Sequence, residues 1–292
     1  MTLAELLFGT LLIEWLQRVF SPGFDPIFVA VTLLGNEAVL VGLSAVVYWC
    51  FDKRRGRLVT YVLFLGAYVN FFLKLLVPWA RPPVDLRLVD KNETSYGFPS
   101  GHAQDSATFW GWLWLDFRKR SLAALGSVIV LAVGFSRFYL GAHYPAQAIG
   151  GWLVGLAIAG LGWVTLNRIP RGTGKIELVP QVAFAFVSVA PLVVAVVLGA
   201  VGPVNPGQIG GYLFGFALGA IAEDRYVRFQ IDPRISHRIV RVVIGGAITG
   251  VVVLALGPVL PTTQLGSSFL NSLARGLTTV LIAPAVFKVL RL

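Results

Sequence analysis

Between Ser136 and Gly151 the chain reads SRFYLGAHYPAQAIGG. Long apolar stretches flank it, yet Arg137, His143 and Gln147 stand where a hydrophobic chain has little use for them. Read as a helix end, a turn and a new helix start, the stretch joins two membrane-length helices. It thereby sets an arginine and a histidine, six residues apart, at one membrane boundary.

The rest of the chain agrees with that setting. Of its 292 residues 56% are hydrophobic and 13% charged, and the mean hydropathy is +0.76, which excludes an ordinary soluble globular class. Apolar runs of about 20 residues recur between short basic or Gly/Pro-containing segments, the length a helix needs to cross a bilayer. The ten-residue alternation of an outer-membrane barrel is missing. The expected fold is therefore all-α, a polytopic transmembrane helical bundle. Its spans are predicted near residues 25–49, 57–78, 102–117, 121–137, 143–166, 179–200, 207–222, 239–257 and 267–287. Residues 1–24 read as an N-terminal interfacial helix, 25–170 as a catalytic transmembrane core, and 171–292 as a C-terminal transmembrane extension of four helices.

Charge fixes an orientation. Lys53, Arg54, Arg55, Arg57, Arg118, Lys119, Arg120, Arg168, Arg171, Lys175, Arg225, Arg228, Arg234, Arg238, Arg241, Lys288 and Arg291 all fall in alternate loops on one face. These are 17 of the 24 basic residues, so that face is expected to be cytoplasmic. The net charge of +10 is then a topology signal, and nucleic acid is not an expected partner. One cysteine and three histidines leave little material for a metal cage, so chemistry without metal or cofactor is expected. Gly151 and Gly155, and Gly211, Gly215 and Gly219, recur every fourth residue and read as close helix contacts.

Three polar stretches share the less basic face, and each falls at a helix end: KLLVPWARP (74–82), YGFPSGHAQD (96–105) and SRFYLGAH (136–143). Lys74, Arg81 and Arg137 supply a compact ammonium and two planar forks suited to several phosphate oxygens. Ser100 and the amides around Gly101, at a helix start, add donors where the dipole favours an anion. Two imidazoles beside one phosphate divide the work: one attacks phosphorus and the other protonates the departing oxygen.

These stretches resemble the signature of the type 2 phosphatidic acid phosphatase superfamily, the lipid phosphate phosphatases: Lys, six residues, Arg-Pro; Pro-Ser-Gly-His; Ser-Arg, five residues, His. All three occur in order and spacing within residues 74–147, about a quarter of the chain. The resemblance implies a phosphatidic acid phosphatase-like core in which Lys74, Arg81, Ser100, Gly101 and Arg137 bind phosphate. It implies His143 as the residue that becomes phosphorylated, and His102 as acid and then base. One position departs. Many relatives place Asp four residues after the nucleophilic histidine, where this chain has Gln147, as do glucose-6-phosphatase-like relatives. A glutamine still orients the ring but brings no charge; Asp105, one turn beyond His102, is a candidate source of one.

The function so implied is hydrolysis of a phosphomonoester or diphosphate lipid, polyprenyl diphosphate or phosphatidate-like, without metal and through a phosphohistidine. The site is expected on the non-cytoplasmic face of a cell membrane, with the bilayer and a membrane lipid phosphate as partners. A phospholipid headgroup or phosphoryl transferase is one alternative. The other is a catalytically weakened phospholipid-binding or transport protein, which Gln147 and the extra C-terminal helices suggest. GTGK (172–175) lacks the Ser/Thr and preceding strand of a phosphate-binding loop.

Overall fold

The computed structural model describes residues 2–166, 185–199 and 205–292. All regular structure among them is helical. In chain order the helices are α1 (Leu3–Phe8), α2 (Leu11–Phe20), α3 (Asp25–Leu33), α4 (Glu37–Cys50), α5 (Lys53–Leu76), α6 (Gly101–Phe117), α7 (Arg120–Tyr139) and α8 (Pro145–Leu166). They are followed by α9 (Ala190–Val197), α10 (Pro206–Ala222), α11 (Ile235–Leu256) and α12 (Leu265–Val289), the last running through a π-helical turn at Thr278–Ile282.

Five of these helices, α5, α7, α8, α11 and α12, are long and apolar enough to cross a membrane. The expected span over 25–49 is instead two helices, α3 and α4, meeting at 48°. Leu34, Gly35 and Asn36 end α3 with tight bonds to carbonyls three residues back, and Asn36 Oδ1 accepts the Ala38 N–H at 2.9 Å to open α4. The break is pressed into the fold: a Cβ on Gly35 would lie 2.5 Å from Val133 Cγ1 and 2.9 Å from the His102 carbonyl. Helices α6 and α10 have 17 residues each, about 26 Å of axis at 1.5 Å per residue, at the short limit for a crossing. Of the expected span 179–200, residues 179–184 and 200 lie outside the described residues, as do Arg168, Arg171 and Lys175 and the GTGK segment.

The N-terminal segment is likewise two helices rather than one. Thr2 closes a capping box on α1, and the chain turns at Gly9, where a Cβ would come 2.6 Å from the Glu5 carbonyl. Helix α2 buries Ile13 and Leu16 and exposes Leu11, Trp15 and Val19.

The chain forms two compact units, one of Met1–Val41 with Leu65–Arg168 and one of Gly42–Phe64 with Ile169–Leu292, so they interleave in sequence. In the first, α6 packs on α7 and α8 and α3 on α7. Gly155 brings α8 against α6, where a Cβ would sit 2.3 Å from the Gln104 carbonyl; Gly151 does the same, 2.7 Å from the Ser100 carbonyl. In the second, α10 packs on α12, with Gly211 and Gly215 each leaving only 2.1 Å between a Cβ and the Phe269 or Leu273 carbonyl. That unit also buries Glu223, fully shielded, which accepts from Lys53 Nζ (2.8 Å), Arg57 Nη2 (2.8 Å), Tyr48 OH (3.1 Å) and the Phe229 N–H (3.0 Å).

Candidate active site

Lys74 in the last turn of α5, Arg81 in the loop that follows, Ser100, Gly101 and His102 at the start of α6, Arg137 in the last turn of α7, and His143 with Gln147 at the start of α8 all belong to the first unit. At the other ends of α6 and α8, the Arg118 guanidinium lies 4.8 Å from the Trp163 ring centre. The histidine end and this arginine end are therefore opposite ends of the same helices.

His143 is almost fully buried, at 2% exposure, and both its ring nitrogens are occupied. Arg81 Nη1 lies 3.0 Å from Nε2 and can only donate, so Nε2 carries the lone pair. Nδ1 then carries the proton and donates to Gln147 Oε1 at 3.2 Å. The amide cannot be the other way round, because Gln147 Nε2 donates to the Ala80 carbonyl at 2.8 Å while Oε1 also accepts the Tyr144 N–H at 3.2 Å. Gln147 thus accepts the Nδ1 proton through an uncharged amide. Asp105 Oδ1, one turn beyond His102, is buried with no hydrogen-bond partner among the described residues. Burial, reinforced by the positive charges of Arg81, Arg137 and Lys74, holds His143 well below the usual histidine range, so the ring is neutral.

The cations are held largely by backbone oxygens. Lys74 Nζ donates to the Tyr96 carbonyl at 2.6 Å and the Pro99 carbonyl at 3.1 Å. Arg81 Nε donates to the Ser95 carbonyl at 2.8 Å, its Nη2 to Ser95 Oγ at 3.0 Å, and its Nη1 also to the Ala142 carbonyl at 3.2 Å. Burial and the nearby Arg137, opposed by Glu93, bring Arg81 down to about 10. Arg137, 2% exposed, donates from Nη1 to Thr32 Oγ1 at 2.8 Å and from Nη2 to the Asp90 carboxylate. Its Nε is buried with no partner among the described residues.

Ser100 stands at the N-cap position of α6, yet its hydroxyl caps nothing. Oγ is fully buried and has no hydrogen-bond partner among the described residues. Its own N–H donates to the Gln147 carbonyl at 3.0 Å, and the ladder of α6 begins with Gln104, so the Gly101, His102 and Ala103 amides precede it. A side chain on Gly101 would meet nothing closer than 3.8 Å, so the fold itself does not demand glycine there. Among the described residues there is no group of three or more His, Cys, Asp or Glu that could hold a metal.

The sequence reading missed the acceptors. Ser95, Asp90, Glu93 and Thr32 hold the cations directly or through the loop, and Gly97 leaves room for Gln147, whose amide lies 2.4 Å from where a Cβ would be. The polar run DKNETS (90–95), between two of the three signatures, was the only signal for Asp90, Glu93 and Ser95, and Thr32 had none.

Residues 55–171 match the PAP2 superfamily, and residues 207–292 match the transmembrane extension of PAP2 superfamily phosphatases. Glucose-6-phosphatase 3 of Mus musculus is 29% identical over 188 residues, covering 56% of this chain and 53% of that protein. Lipid phosphate phosphatase delta of Arabidopsis thaliana is 28% identical over 193 residues, covering 55% and 46%, and phosphatidylglycerophosphatase B of Bacillus subtilis is 28% identical over 151 residues, covering 47% and 73%. The chain spans about half the length of the first two.

Proposed function

With this chain a member of the PAP2 superfamily, we propose that it is an integral membrane phosphatase that hydrolyses a phosphomonoester or diphosphate lipid, polyprenyl diphosphate or phosphatidate-like. The observation that carries the reading is the His143 tautomer: a neutral imidazole whose Nε2 lone pair points at Arg81, with Nδ1–H tied to Gln147.

The chemistry runs in two steps. A phosphate oxygen takes the Arg81 N–H, which frees the Nε2 lone pair to attack phosphorus. The P–N bond forms as the ester or anhydride P–O bond breaks, and His102, protonated once the anionic phosphate is bound beside it, gives that proton to the leaving oxygen. Water then attacks phosphorus, His102 takes its proton, the P–N bond breaks and phosphate leaves. Lys74, Arg81, Arg137, the Ser100 hydroxyl and the first amides of α6 meet the charge on the equatorial oxygens. No step calls for a metal.

Several observations support a lipid substrate. Helix ends bring the site to a membrane boundary, and named relatives include a lipid phosphate phosphatase and a phosphatidylglycerophosphatase. The end of α6 and α8 that carries Arg118 is the end the basic loops assign to the cytoplasm, which supports a site on the non-cytoplasmic face of a cell membrane. The test is a phosphate-release panel of polyprenyl diphosphate, phosphatidate, phosphatidylglycerophosphate and glucose 6-phosphate, run with and without chelator and repeated with His143→Ala. Release from a lipid phosphate, unaffected by chelator and abolished in the variant, with an acid-labile, alkali-stable phosphoenzyme, is the expected result. Release that survives His143→Ala removes the mechanism.

A further inference from the structure

Arg137 is one of three cations in the proposed pocket, and an acidic side chain already holds it. Asp90 reaches in from the loop between α5 and α6 and pairs through Oδ2 with Arg137 Nη2. The two ends of the pair are unlike: the Arg137 side chain is 2% exposed, while that of Asp90 is 37% exposed. Burial works against the charge on Asp90, but Arg137, His102 and Arg81 outweigh it and hold the carboxyl below its ordinary range, so it is ionised. Asp90 thus faces the same groups that a substrate phosphate would face. Within the same set of side chains, Arg137 Nε and Ser100 Oγ are buried polar atoms without a partner among the described residues.

From this placement we infer that Asp90 is a specificity-determining residue, a carboxylate that a ligand must displace from Arg137 and that only a ligand of higher charge displaces efficiently. A bilayer surrounds the site with phosphodiester headgroups, each carrying one negative charge on phosphorus. A diester exchanged for Asp90 replaces one negative charge by one, and gains little. A phosphomonoester or terminal diphosphate group brings about two, and its additional oxygens reach Ser100 and Arg137 Nε together. The carboxylate therefore sets one displacement cost for every ligand, which the more highly charged group outweighs and the abundant diester does not, so the cationic pocket is screened from the wrong ligand. Its exposure and its position on a loop let it swing aside without disturbing α7, which holds Arg137.

The inference rests on Arg137 as a phosphate-binding side chain. It is tested by equilibrium binding of inorganic phosphate and of dimethyl phosphate, a soluble monoanionic diester, to wild type, Asp90→Asn and Asp90→Glu, at a pH where phosphate is mainly dianionic. The same ligands are then used as inhibitors of phosphate release, alongside vesicles containing phosphatidylglycerol. Asp90→Asn is expected to tighten dimethyl phosphate and inorganic phosphate by a similar factor, roughly tenfold, and so to make phosphatidylglycerol an inhibitor, the scale expected for loss of one close charge contact. Asp90→Glu, which keeps the charge, is expected to retain the wild-type affinities. A dimethyl phosphate affinity that is unchanged or weaker in Asp90→Asn overturns the inference, as does a wild type that binds no inorganic phosphate. Absence of phosphate release from every ester in the panel would remove the proposed activity instead, leaving the binding affinities to judge Asp90.

Discussion

Replacing Gln147 by alanine removes three side-chain hydrogen bonds at once: to His143 Nδ1, to the Tyr144 N–H and to the Ala80 carbonyl. Its catalytic cost has two parts. The 3.2 Å bond to His143 is neutral while the ring is neutral and becomes charge-assisted once Nε2 bonds to phosphorus, a gain of about 1 kcal/mol on the values of neutral and charged hydrogen bonds. Without an acceptor at Nδ1 the ring also loses the bias that keeps Nε2 unprotonated, about another 1–2 kcal/mol. The sum of about 2–3 kcal/mol predicts a kcat roughly 30- to 150-fold lower. KM should change little, because the Gln147 side chain bonds to none of the cationic side chains. Gln147→Glu is the sharper variant. It restores an acceptor and adds a charge, but places an oxygen against the Ala80 carbonyl where the amide donates at 2.8 Å, so it should also be slow. Steady-state kinetics on the best substrate, with the trapped phosphoenzyme quantified, read both. A Gln147→Ala enzyme within twofold of wild-type kcat, with normal phosphoenzyme, would refute the orienting role.

Other outcomes follow from neighbouring groups. Ser100→Ala should leave Tm unchanged, since Oγ makes no internal hydrogen bond, while kcat/KM falls about tenfold; a large loss of Tm would show a structural role instead. The depressed His143 fixes a sign with pH: the unfolded chain protonates this histidine below about 6.5 and the folded chain does not, so stability declines on acidification through that value. Thermal melts of wild type and His143→Asn across about pH 5–8 should show the steeper acid decline in wild type. Glu223→Ala removes the anion shared by Lys53, Arg57 and Tyr48 and should cost about 3 kcal/mol, seen as a lower Tm. By contrast Arg234→Ala, which breaks the exposed pair with Asp232, should not shift Tm measurably.

The helices were legible because membrane length and apolar composition leave few other solutions. The site was legible because its side chains are of rare types for such a chain: Lys74, Arg81, His102, Arg137 and His143 stand out against apolar neighbours. What holds them was not. Lys74 and Arg81 are gripped by carbonyls of Tyr96, Pro99, Ser95 and Ala142, and a carbonyl looks the same at every position of a sequence. Asp90 and Thr32 lie far from Arg137 in the chain, so no local spacing pairs them with it. The break at 34–36 was equally silent, since Gly35 and Asn36 interrupt an apolar run too briefly to register against its length.

The bonds of Gln147 have a mechanical consequence. Through one residue the segment ahead of Arg81, the imidazole and the Ser100 amide ahead of α6 are tied together. The loop that carries Arg81, the ring and the first amides of α6 are therefore braced against one another. Parts from three separate stretches of chain share one buried glutamine as their common anchor.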